Sequence, residues 1–120
     1  QLDDAAVEAL HAEGMEIAIE TNGTKPPPEG LDWICVSPKA GAGMVIEYGD
    51  ELKLVYPQEG LTPDTFERLD FEYFFLQPMD GPHLDGNTEL ALKYCLENPR
   101  WRLSLQTHKL LNRACSIPVK

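Results

Sequence analysis

Residues 72 to 106 read EYFFLQPMDGPHLDGNTELALKYCLENPRWRLSLQ, and this stretch decides the fold class. It opens on an apolar, aromatic-rich run, Glu72 to Gln77, that Pro78 stops, which predicts a strand. Asn87 stands where a helix cap belongs. Thr88 to Glu97 follows as a helix, with Leu90, Ala91, Tyr94 and Cys95 along one stripe. Pro99 closes that helix, and Arg102 to Gln106 predicts the next strand. Strand, helix and strand at this spacing imply parallel pairing through a right-handed crossover.

The same grammar continues toward the N-terminus. Glu51 to Tyr56 (ELKLVY) predicts a strand after a connection containing Gly41, Gly43 and Gly49, and Pro63 to Leu69 predicts a short helix opened by Thr62. Asp32 to Ser37 (DWICVS) is nearly all apolar, ends at Pro38, and is expected to be covered on both faces. Met15 to Glu20 (MEIAIE) alternates as a strand and runs into Thr21-Asn22-Gly23-Thr24, before Pro26-Pro27-Pro28. Leu2 to Glu13 predicts a helix with Leu2, Ala5, Ala6, Ala9 and Leu10 on one stripe, Asp3 and Asp4 at its positive end, and Gly14 as its stop. The class is therefore α/β with about five mostly parallel strands. Because the chain opens on a helix with no strand before it, the expectation is the C-terminal part of a partial (β/α) barrel whose first strands lie outside these residues. An open five-stranded sheet is the alternative.

Composition fits one soluble globular domain: 120 residues, 42% hydrophobic and 25% charged. No apolar run approaches the ~20 residues of a bilayer span, and no leader opens the chain, so no membrane partner and a cytoplasmic location are expected. A net charge of -10 argues against nucleic acid as a partner. The charge is uneven, because residues 98 to 120 carry Arg100, Arg102, Lys109, Arg113 and Lys120 and no acid. Cys35, Cys95 and Cys115 lie too far apart for a local metal motif, so no metal ligand is expected, and the odd count argues against a disulfide framework.

Polar residues gather at the predicted strand ends: Glu20-Thr21-Asn22, then Ser37 and Lys39, then Gln77 and Asp80, then Gln106-Thr107-His108. In a parallel α/β sheet those ends share one rim, where ligands bind. Amides suit a purine edge, hydroxyls and carboxylates suit ribose, and a lysine suits a carboxylate or phosphate, so the lining is nucleotide-like. His11 reads as helix surface and His83 as a loop residue. Lys53 reads as a surface lysine on an edge strand rather than one pointing into the barrel mouth.

These residues also resemble a known family. Ile19-Glu20-Thr21-Asn22-Gly23-Thr24, Val36-Ser37-Pro38-Lys39, Glu51-Leu52-Lys53-Leu54-Val55, Phe75-Leu76-Gln77-Pro78-Met79-Asp80 and Leu103 to Lys109 (LSLQTHK) are similar, in order and spacing, to the C-terminal half of 7-carboxy-7-deazaguanine synthase. The resemblance runs to Leu111 and implies the C-terminal part of a radical S-adenosylmethionine (SAM) core over 1–111, with an atypical extension over 112–120. It implies a carbon-nitrogen lyase of queuosine biosynthesis, for tRNA modification, that converts 6-carboxy-5,6,7,8-tetrahydropterin to 7-carboxy-7-deazaguanine with loss of ammonia. It implies SAM, a [4Fe-4S] cluster and Mg2+ as cofactors, and a homodimer or a self-associating fragment is expected; the ligands of the cluster and of Mg2+ are expected outside this chain, which alone is expected to be inactive. By the resemblance, Ser37, Pro38 and Lys39, and Gln77, Pro78, Met79 and Asp80, contact SAM, and His108 contacts the pterin substrate; no catalytic residue is assigned. A non-catalytic nucleotide-binding or interaction module of the same fold is the second reading. Separated from the rest of such a barrel, the chain is expected to self-associate.

Overall fold

The computed structural model describes residues 3–105. Among them are the helices α1 (Asp4–Ala12) and α2 (Leu84–Glu97), a 3-10 helix (Pro63–Phe66), and the strands β1 (Ala18–Thr21), β2 (Trp33–Val36), β3 (Tyr48–Tyr56), β4 (Asp70–Pro78) and β5 (Trp101–Leu103). The strands form one sheet in the order β1-β2-β3-β4-β5, and every pair is parallel. A doubly wound open sheet reverses its winding at a switch point, whereas this order never turns back. Winding in one direction is that of a partial α/β barrel, and all five strand carboxyl ends fall on one edge.

The two faces of the sheet differ. Val36, Leu52, Leu54, Phe74, Leu76 and Trp101 are fully buried and pack with Ala91 of α2 into the core. Phe74 and Trp101 anchor it, with ring centroids 5.1 Å apart. The register sends the alternate residues Glu51, Lys53 and Val55 of β3, beside Tyr73, Phe75 and Gln77 of β4, to the opposite face. There Trp33 stacks on Tyr73 and donates to Glu51 at 2.9 Å, and Arg102 lies 5.1 Å over the Tyr73 ring.

Element boundaries depart from the sequence reading for identifiable reasons. β3 begins at Tyr48, three residues early, because Gly49 permits a close approach: a Cβ there would stand 2.9 Å from the Phe71 ring and 3.2 Å from the Ile34 carbonyl. Asp50 continues the edge by accepting the Ile34 N–H at 2.7 Å. β1 starts at Ala18 instead of Met15, since the Asp32 carboxylate takes the Ile17 N–H at 2.6 Å while Met15 and Glu16 stay exposed. In β2, Cys35 and Val36 are buried but Trp33 and Ile34 only half so. In α1 Val7 is the buried residue, not the alanine stripe, and Asp3 caps the helix by accepting the Ala6 N–H. The 63–69 helix is only the 3-10 segment Pro63–Phe66, and the Thr62 hydroxyl pairs with that of Thr65 instead of capping.

α2 brings the main correction. It starts at Leu84 with His83 as its cap, so Asn87 lies in its first turn. The Asn87 amide donates instead to the Met79 carbonyl at 3.1 Å. Leu90 is half exposed, leaving Leu84 and Ala91 buried and Tyr94 and Cys95 partly so.

Candidate functional site

At the carboxyl ends of β1 to β4 a cleft of about 490 Å³ opens, lined by Glu20, Thr21, Asn22, Ser37, Lys39, Lys53, Val55 and Gln77. Each strand delivers its part through local geometry. Beyond β1 the chain turns at Gly23, whose φ of 80° and whose close neighbours, Met44 and Val36, both exclude a side chain. The Gly23 carbonyl accepts the Val45 and Ile46 N–H groups. Thr21 and Asn22 serve this turn: the Thr21 hydroxyl accepts the Gly23 N–H, and Asn22 Oδ1 accepts the N–H and hydroxyl of Thr24. Glu20 is thereby left as the charged side chain that β1 offers to the cleft.

The Ser37 N–H donates to the Thr21 carbonyl at 2.7 Å, which holds the second turn against the first. Pro38 is buried and ends β2, and Lys39 is exposed. Gln77 reaches the cleft from β4, and the turn after it is pinned twice: the Met79 N–H donates to the Tyr56 carbonyl at 2.9 Å, and Asn87 holds the Met79 carbonyl.

The structure therefore brings together Ser37, Lys39 and Gln77 of the seven residues read as SAM contacts. Pro38 and Pro78 are buried strand stops. Met79 faces a separate shallow hollow with Pro57, Gln58 and Glu59, and Asp80 is exposed beyond the lining residues. Gln106, Thr107, His108 and the 112–120 extension lie outside the described residues.

Lys53 corrects the surface reading. β3 is the central strand, and the ammonium lies 3.2 Å from each oxygen of Glu20. A clue was present in ELKLV, where Glu51 and Lys53 alternate with leucines that the core claims. Between Glu20 and Glu51 in the register, Cys35 on β2 is buried, and its thiol is pushed up to about 12 by burial and then by the Glu51 and Glu20 carboxylates. It is neutral and unreactive at ordinary pH. The Cys95 thiol is also raised by burial. His11, read as plain surface, pairs with Asp32 at 2.9 Å.

An all-parallel α/β sheet wound one way places the protein in the barrel-like α/β class, and its polar cleft lies at the carboxyl edge, where that class ordinarily binds ligands. No family model matches the chain. Curated relatives do. The chain is 65% identical over 111 residues to the 7-carboxy-7-deazaguanine synthase of Caulobacter vibrioides, 62% to that of Bradyrhizobium diazoefficiens and 60% to that of Bordetella pertussis. Each alignment takes in 92% of this chain and 53% of the relative, so the chain spans about half the length of the curated relatives it matches. Over that span the chain is a homologue of the 7-carboxy-7-deazaguanine synthases, the family its motifs resemble.

Proposed function

We propose that this chain forms the SAM-contacting part of a 7-carboxy-7-deazaguanine synthase, a radical SAM carbon-nitrogen lyase that contracts 6-carboxy-5,6,7,8-tetrahydropterin to 7-carboxy-7-deazaguanine with loss of ammonia, in the cytoplasmic route to queuosine. The observation that carries this reading is the convergence of Ser37, Lys39 and Gln77, from two turns far apart in sequence, on one cleft beside Glu20.

The donor set suits an adenosyl ligand. Glu20 offers carboxylate oxygens to a ribose diol, the Gln77 amide can both donate to and accept from an adenine edge, and Ser37 and Lys39 add a hydroxyl and an ammonium. Held there by Glu20, Ser37, Lys39 and Gln77, SAM would supply the radical chemistry of the reaction. This chain's residues bind and orient the nucleoside, and their placement on strand ends limits its freedom before chemistry.

The described residues do not suit an iron-sulfur cluster or Mg2+. Among the described residues no group of three His, Cys, Asp or Glu is placed to hold a metal, and Cys35 and Cys95 sit on separate elements with raised thiol pKa values. By the family resemblance, ligands for those groups are expected at positions outside this chain. Nor is any helix among the described residues long and apolar enough to cross a membrane.

The test is calorimetric titration with S-adenosylhomocysteine. Gln77→Ala is expected to weaken binding about two- to twelvefold, the worth of one hydrogen bond of about 0.5–1.5 kcal/mol, and Met79→Ala to leave it unchanged. Equal effects at the two positions would reject the cleft as the site.

A further inference from the structure

We propose that Lys53 is a positioning residue: its ammonium locks the Glu20 carboxylate in the orientation that receives a ligand diol. The proposal rests on the nucleoside reading above and goes beyond it, because Lys53 lies outside the turns on which that reading is built.

Strands of an all-parallel sheet are ordinarily apolar on both faces. Leu52 and Leu54 of β3 obey this and are fully buried, yet Lys53 between them carries a charge onto the open face of the central strand. Its ammonium reaches across β2 to β1 and stands 3.2 Å from both Glu20 oxygens. Equal distances place the nitrogen midway between the two oxygens, so that one ammonium restrains the carboxylate at both atoms and not at one alone.

Exposure separates the roles of the two partners. Both side chains line the cleft, but that of Glu20 is 54% exposed and that of Lys53 21%, so the carboxylate is the more open of the two to a ligand. A pair this open to water adds little to folding stability, which leaves the fold without a reason for burying a lysine stem at this place. A receptor group held before the ligand arrives saves the ordering cost that would otherwise weaken binding. Cys35, neutral on the intervening strand, does not compete for the ammonium, and the other cation of the cleft, Lys39, is exposed on the turn after β2.

The experiment compares adenosine with 2',3'-dideoxyadenosine by NMR-monitored titration of the full 120-residue chain. The wild type is expected to prefer adenosine. In Lys53→Met, adenosine affinity should fall about five- to tenfold while dideoxyadenosine affinity stays put, so that the preference collapses. Lys53→Arg should restore most of it. A purely structural lysine would weaken both ligands together, and thermal unfolding of each variant separates that case; Lys53→Gln stands in if the methionine variant does not fold. Retention of the hydroxyl preference in Lys53→Met, or tighter adenosine binding there, would overturn the proposal, the latter by showing that the ammonium merely occupies the carboxylate. A wild type that binds both nucleosides equally overturns the positioning role alone. One that binds neither overturns the nucleoside reading and this inference with it.

Discussion

Asp32 shows how one carboxylate can serve the start of a strand and a helix surface together. It accepts the Ile17 N–H and meets the His11 ring, and His11 first, then the Ile17 N–H, hold its carboxyl below the ordinary carboxylate range. The unfolded chain takes up this proton at higher pH than the native one. Asp32 therefore contributes stability above the ordinary carboxylate pKa, and that contribution is lost as pH falls through the lowered native value. Asp32→Asn keeps the acceptor for Ile17 but cannot titrate, so urea midpoints measured between about pH 5 and pH 2 should fall less steeply than in the wild type. A variant with an identical acid limb would show that other carboxylates govern it. At the neighbouring strand end, Glu20→Ala should weaken S-adenosylhomocysteine binding tenfold or more, since a charged acceptor contributes about 1.5–3 kcal/mol. Calorimetry reads this directly, and an unchanged affinity would move the ribose away from Glu20.

At the scale of elements, the packing of β4 against α2 sets the rim. Phe74 is buried against Trp101, and Arg100 lies 4.4 Å over the Phe74 ring. Phe74→Ala should cost about 3–5 kcal/mol in denaturant unfolding, because the cavity left under α2 cannot close around so large a loss. A loss below about 1 kcal/mol would mean that α2 is not docked there. The β4–α2–β5 unit was legible in sequence because proline stops and an aromatic run delimit it. The cap of α2 was not: Asn87 carries the chemistry of a cap, but it lies four residues beyond the actual cap, His83, and its amide holds the Met79 carbonyl. The early start of β3 was hidden for a related reason. Gly49 and Asp50 read as connection, and only the approach of Phe71 and the Ile34 N–H makes them strand. The convergence of Ser37, Lys39 and Gln77 followed from parallel strand ends, whereas the Glu20–Lys53 pair needed the register of three strands that no single segment displays.

For the whole molecule, two features bear on behaviour in solution. Among the described residues β1 and β5 each pair on one side only, and Leu90, Leu92 and Leu96 of α2 are 50%, 44% and 74% exposed. Open strand edges and uncovered apolar side chains recruit another chain. Light scattering at micromolar concentration should accordingly find a dimer or larger species; a monodisperse monomer would mean that these surfaces are tolerated bare. Anaerobic iron-sulfide reconstitution should leave the chain without a [4Fe-4S] chromophore, given thiols on separate elements with raised pKa values. A stable cluster would contradict the division of labour proposed for the family fold.

The central claim is that the carboxyl edge of the sheet is a nucleoside site, and backbone NMR during titration with S-adenosylhomocysteine tests it most directly. The account predicts concerted shifts at Glu20, Ser37, Lys39 and Gln77, with none at Tyr48, Asp70 and Glu72 in the hollow at the amino ends of β3 and β4. Shifts confined to that opposite hollow, or none at the carboxyl edge at saturating ligand, would contradict it.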